Sequence, residues 1–576
     1  MIAKILTTLL GLSLILAVAC GGAPAAPEPT AAPAAEPTAA PAESATSQPT
    51  ATPQMAPAPA EVEVNPGQLT WLIGSFGHER FDPTYGGSVG HDYARQIHAF
   101  LISSDAKDGR RVFAPGIATK WELSPDGLTW TFTVREGVKF HDGTEVTVED
   151  VLWSLQHTVG PQVKEFAVSP TTVAYLTDRV EQTGPNQVSA TTTVPVSDFP
   201  VANAEASGNW TGIVLPRRAT LHDLEEEAAY DRNPIGAGIF KLLNHVPVSQ
   251  MTFERFDDYY HQPKNGFPTD KRPKFTTLDL RLVPEESTRV AAIRAGEADI
   301  APVTVASRQQ VEAEGGRVVF GQEGAYLRVV QMGCMKPQFP CHDQRVRQAL
   351  NYAIDKELIR DTLYGPEVME VKGWASVTPS TIGYSPELAP YPYDPDKARQ
   401  LLAEAGYPGG QGFGKLVINT YVSPALPLMT ESAQLGADFW KRELGLDVEV
   451  RVGDEAALKK AARLTEGLYG QILWRDNETK LDAVGSLRSV YGEPDRLDTV
   501  HNDPELFTLV EQALAVFEPV EREKILNSTY RRFRDEAYEL PLGYINVPWG
   551  VGPRVQTWEP YPMAFYPSAL HSITLK

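Results

Sequence analysis

From Ser124 to Arg135 apolar and polar positions alternate: Leu128, Trp130, Phe132 and Val134 interleave with Thr129, Thr131, Thr133 and Arg135. A period of two predicts a strand buried on one face. Glu136-Gly137 reads as a turn and Val138 to Phe140 as a short strand pairing back. Asp142-Gly143 then supplies a second turn, because glycine tolerates positive φ and aspartate bonds its own backbone. After it the period changes. Thr147, with Asp150 three residues on, forms a capping pair, and Val151, Leu152 and Leu155 follow at helical spacing.

The same reading extends down the chain. "NPIGAGIFKL", Asn233 to Leu242, is a glycine-punctuated turn entering a strand, and "SQMTFERFDDYY", Ser249 to Tyr260, is its hairpin partner. "STRVAAIRAGEADIAPV", Ser287 to Val303, predicts a helix that starts at Ser287, ends at Gly296 and passes into a strand at Ile300. His342 to Gly365 reads as one amphipathic helical region with Val346, Leu350, Ala353 and Ile354 on one face. Tyr393 to Pro408 is a capped helix stopping at Gly406. Alternation of this kind predicts α/β domains with largely buried mixed sheets.

The N-terminus is different in kind. One cation, Lys4, precedes an apolar run from Ile5 to Val18 and the step "AVACGG". That is the layout of a secretory signal, and the run is short for a membrane span. With Cys20 after the small residues it resembles a bacterial lipoprotein signal, so residues 1–19 are expected to be removed and Cys20 lipidated. Residues 20–66 are nearly all Ala, Pro, Glu, Thr and Ser and cannot bury enough surface to offset chain entropy; they predict a tether. No later segment is long and apolar enough to span a bilayer. The formal net charge of −21 argues against a nucleic-acid partner, which needs clustered Lys and Arg. Three cysteines occur. With Cys20 lipidated, Cys334 and Cys341 remain as an even pair in an oxidising compartment and are expected to close a small loop as a disulfide.

His141-Asp142-Gly143 could suggest chemistry, but no second His, Cys or nucleophile stands at ligand spacing beside it. It is read as scaffolding. A secreted hydrolase is the alternative from another class, with no H-E-x-x-H helix in its favour. No cofactor, metal or catalytic residue is expected.

Four stretches in register then carry a resemblance. "FAPGIATKWELSPDGLTWTFTVREGVKFHDGTEVTVEDVLWSL", "NPIGAGIFKL", "RVRQALNYAIDKELI" and "YDPDKARQLLAEAGYP" resemble successive blocks of the family 5 extracellular solute-binding proteins, the peptide-binding components of ABC importers, with nickel- and sugar-binding members. The resemblance implies a two-lobed α/β periplasmic-binding-protein fold with an extra subdomain in lobe I and two crossover strands. Lobe I is expected at 67–97, 229–303 and 541–576, the extra subdomain at 98–228 and lobe II at 304–540. It implies no enzyme but a monomeric receptor on the outer face of the membrane, periplasmic if there is an outer membrane. Such a receptor hands a solute, a peptide before a nickel chelate or an oligosaccharide, to a permease.

In peptide-binding relatives an aspartate shortly after a tryptophan in lobe II pairs with the ligand's ammonium group, which places Asp476 and Trp474 in the site. Arg475 adds a cation there, either within the site or as an exposed partner of Asp476. Ser75 and Phe76, after the first strand, and Trp374 are further expected contacts; Tyr544 and Trp549 lie near the returning crossover.

Overall fold

A computed structural model describes residues 67–576 apart from 78, 83–90, 164–171, 206–210, 218–228, 375, 423–426, 462–467, 469, 492–502 and 565. The expected signal peptide, Cys20 and the tether lie outside the described residues. Two large mixed sheets organise the rest. The first has seven strands in the order Phe240–Val246, Gln250–Arg255, Thr277–Leu282, Gln68–Ile73, Ile300–Pro302, Pro548–Val551 and Arg317–Phe320. Gln68–Ile73 runs parallel to both its neighbours, and the hairpin read from the sequence pairs Phe240–Val246 with Gln250–Arg255. The second sheet has six strands: Met369–Glu370, Glu539–Ile545, Tyr326–Met332, Ile472–Glu478, Lys415–Tyr421 and Asp447–Gly453. Helix Met429–Leu444 connects the parallel pair Lys415–Tyr421 and Asp447–Gly453, as a parallel crossover requires.

The chain passes between the sheets twice, after Phe320 and after Ile545. The two passing segments bond to each other: Gly321 donates to the Val547 carbonyl at 2.9 Å and Ala325 to that of Ile545 at 3.1 Å. Gly324 has a φ of 58°, and a Cβ there would lie 2.4 Å from that of Tyr544. Only glycine fits at that close approach. By strand membership the crossings fall at 321–325 and 546–547, beyond the 303/304 and 540/541 expected from the sequence.

A smaller antiparallel sheet holds Ala118–Leu123, Thr129–Val134, Gln187–Thr192 and Thr177–Gly184. Phe132 and Val134 point into its core, as their alternation predicts. Val138 to Phe140 does not pair back on that strand; only Lys139 bridges, to Glu145, because the strand's two edges are already taken by its neighbours. Thr147 and Asp150 form the expected capping box on helix Val148–Val159. His141 ties this region to the glycine turn: its Nε2–H donates to the Gly238 carbonyl at 3.1 Å, its amide donates to the Gly236 carbonyl, and the Gly236 amide meets its Nδ1. Burial pushes its pKa down to about 3, so the ring is a neutral bracket.

Two helix readings need correction. The region 342–365 is broken: helix Gln344–Tyr352 ends, Asp355 recaps Lys356–Ile359 by accepting from the Leu358 amide, and a wide turn, Arg360–Tyr364, closes the stretch. Helix Glu286–Ala295 is capped at Glu285, not Ser287, while Gly296 ends it with a φ of 74° as expected.

Candidate ligand-binding site

Strand Tyr326–Met332 is buried along its whole length between two partners, yet its third residue is Arg328. A cation in such a strand needs a fixed counter-charge, since desolvation of a lone ion is costly. Asp476 is its Cα partner on Ile472–Glu478, and the Arg328 Nε lies 2.9 Å from the Asp476 Oδ1. Arg328 is fully buried and Asp476 only 6% exposed. Burial is the largest single influence and works against the guanidinium charge, but Asp476 together with Tyr364, Tyr421 and Glu431 outweighs it, and the Arg328 pKa is raised. The Arg328 Nη1 contacts the Met429 sulfur, and the guanidinium lies 5.7 Å from the centre of the Tyr364 ring.

Arg328 also lines a cleft. Thr304, Val305 and Pro548 lie on one side of it, close to strands of the first sheet; Leu363, Tyr364, Val368, Pro427, Leu428 and Ile545 line it from the second. The cleft takes in about 340 Å³ of space, open solvent included. Leu428 caps helix Met429–Leu444 in the left-handed region, φ 67°, and its carbonyl accepts the Tyr364 hydroxyl at 2.9 Å. Thr304 is held by Glu286, which accepts both its amide and its hydroxyl.

The residues expected from the sequence fall into separate places. Trp474 shares a strand face with Asp476 but is completely buried; its Nε1–H donates to the Ser432 hydroxyl at 2.9 Å and its ring meets Trp440 edge-on. Arg475 points to the opposite face, where its Nη1 donates to the Gln331 side chain, so it is not the partner of the Asp476 carboxylate. Trp374 is completely buried against Tyr391 with its Nε1–H on the Ala389 carbonyl. Phe76 packs edge-on against Tyr93, and the half-buried Ser75 accepts from the Gly77 amide. Trp549 stands between Trp71 and Trp558, and the buried Tyr544 hydroxyl bonds the Val377 carbonyl. Cys334 and Cys341 are bonded, with Cα atoms 5.3 Å apart. A G-x-S-x-G spacing from Gly86 to Gly90, that of a hydrolase nucleophile elbow, lies outside the described residues. Sequence reasoning missed Arg328, although a single cation inside the run "AYLRVVQM" was its signal.

The small sheet's region also meets helices Pro504–Ala515 and Pro519–Asp535. Ser197 donates its amide to the Leu514 carbonyl and its hydroxyl to that of Ala513, and accepts from the Arg522 Nε at 2.8 Å. Arg522 pairs with buried Asp482 at 2.5 Å. Asp198 lies against this pair; burial first, then the Asp482 charge, push its pKa up to about 7.

The chain is 26% identical to heme-binding protein A of Haemophilus influenzae over 82% of its own length and 86% of that protein's. It is 28% identical to the dipeptide-binding protein of Escherichia coli, but there the match takes in 53% of this chain and 57% of the relative. Two solved structures share the fold: DppA of Helicobacter pylori in complex with the peptide STSA, with TM-score 0.72, 21% identity and coverage of 88% of this chain and 98% of that one, and the oligopeptide-binding protein AppA of Bacillus subtilis with a nonapeptide, with TM-score 0.71, 18% identity and coverage of 88% and 99%. Among the described residues no helix is long and apolar enough to cross a membrane. Residues 112–496 match the middle region of one family, and the chain belongs to it: the bacterial extracellular solute-binding proteins, family 5.

Proposed function

We propose that this chain is the receptor of an ABC importer: it captures a small extracellular solute, a short peptide, between its two halves and hands it to a membrane permease. Lobe I would comprise residues 67–97, 229–320 and 548–576, the extra subdomain 98–228, and lobe II 326–545, with the two crossings as hinge. Cys20 would anchor the chain to the membrane as a lipoprotein, residues 21–66 would hold it off the surface, and it would act as a monomer without catalysing a reaction. The single observation that carries this reading is the cleft at the crossings, lined from both sheets and reached by the buried Arg328, which Asp476 holds from behind. A site built across a hinge can bind by closure, because the ligand then has different contacts in the two states. The dipeptide-binding relative supports the peptide class. An oligosaccharide is less well served: Trp374, Trp474 and Trp549 are buried against different rings, Tyr391, Trp440 and the pair Trp71 and Trp558, and offer no common stacking face.

The test is a thermal-shift screen of the purified chain against di- to pentapeptides, nickel–histidine and oligosaccharides. A ligand at a hundred times its dissociation constant adds about 2.7 kcal/mol, and peptides are expected to be the class that does so. Stabilisation by one of the other classes alone would discard the peptide and keep the receptor.

A further inference from the structure

The expectation taken from relatives puts an aspartate against the ligand's ammonium group, and the geometry here reverses that polarity. It is Arg328, and not Asp476, that lines the cleft. A guanidinium has five N–H donors. Its Nε edge faces Asp476 and its Nη1 faces the Met429 sulfur, while Nη2 is buried with no hydrogen-bond partner among the described residues. A buried donor left unsatisfied is costly and calls for an acceptor.

A second feature points the same way. Pro427 and Leu428 line the cleft, and helix Met429–Leu444 begins there, so its N-terminal end opens on the same space. Its cap residue Leu428 has no side chain able to accept from the first amides. A helix N-terminus carries partial positive charge and favours an anion. Glu431, the other carboxylate whose field reaches Arg328, is solvent-exposed and so well screened. The rest of the lining is chiefly apolar: Val305, Leu363, Val368, Leu428 and Ile545.

We propose that Arg328 is the ligand-reading charge of this cleft, that the solute it takes presents a carboxylate beside apolar side chains, and that Asp476 is the positioning counter-ion behind it. This rests on the solute-capture reading above and names the end of the solute that is recognised. Asp476 holds the guanidinium charged and oriented; the ligand carboxylate completes the fork through Nη2. The ligand's amino group lies away from the pair.

The experiment is a calorimetric titration of the full chain with three probes: leucyl-leucine, its C-terminal amide, which lacks the carboxylate, and N-acetyl-leucyl-leucine, which lacks the ammonium group. The expected result is that the acetylated peptide binds within about threefold of the parent and the amide at least tenfold more weakly. In Arg328→Met/Asp476→Leu, which removes both charges and leaves no unpaired ion, that preference disappears, with the folded state checked by circular dichroism. Tight binding of the amide with loss of the acetylated peptide overturns the inference and restores an ammonium anchor, leaving the peptide receptor intact. Equal binding of all three also overturns it. Silence from all three, with stabilisation by nickel–histidine or an oligosaccharide, overturns both the inference and the peptide reading.

Discussion

Arg328 and Asp476 face each other across neighbouring antiparallel strands, 2.9 Å apart and out of water, and Arg328 alone of the two lines the cleft between the two sheets. Removing one member of a buried pair strands the other. Asp476→Leu alone is therefore expected to cost about 3–5 kcal/mol, whereas Arg328→Met/Asp476→Leu recovers most of that loss. Urea unfolding of the two variants beside the parent checks this; a single variant no less stable than the double one would mean that the two side chains are not coupled.

A loss of stability in acid follows from three histidines, the buried His98 and His261 and the partly buried His141. Burial, first among the causes, lowers His98 to about 4 and His141 and His261 to about 3, against an ordinary 6.5. Between those values the unfolded chain binds protons that the folded chain does not, so stability is full above about pH 6.5 and falls as the pH drops. Denaturant midpoints at pH 7 and pH 4.5 should show the loss, and His141→Gln, which keeps a donor towards the Gly238 carbonyl, should make it shallower.

Asp198 has the opposite sign. Its pKa is raised by burial and by Asp482, so between its unfolded value of 3.8 and about 7 the folded chain holds a proton that the unfolded chain has released. Stability from this group is present at acid pH and is lost as the pH rises through that window. Asp198→Asn is expected to leave stability at pH 4 unchanged and to raise it at pH 8, read from thermal midpoints at the two values.

The disulfide closes a loop with a sequence separation of 7. Loop entropy for a ring of that size is worth roughly 2.5 kcal/mol. Cys334→Ser/Cys341→Ser should lower unfolding stability by about that much, with no further effect of reductant, while the parent falls to the same level when reduced.

Much of the scaffold was legible in the letters because local rules decide it. The Thr147–Asp150 capping box, the turn at Gly296 and the hairpin after Gly238 depend on neighbours only a few residues away. The long helix expected over 342–365 failed because Asp355 offers the backbone a new cap in mid-stretch, which hydrophobic period alone does not register. The site was harder to read. Trp474 and Trp374 carry the composition of ligand contacts, yet their indole N–H groups find partners in the core, at Ser432 and Ala389. Arg328 and Asp476 are far apart along the chain, and only strand register brings them together. Its trace in one sequence was a cation in an apolar strand, a signal that asks for a partner without naming it.

The claim that the two halves close on a solute is tested most directly by small-angle X-ray scattering of the chain with and without saturating leucyl-leucine. Closure about the crossings at 321–325 and 546–547 predicts a smaller radius of gyration in the bound state, with one ligand per chain. Scattering unchanged by a ligand that calorimetry shows to be bound would place that ligand elsewhere and contradict the account.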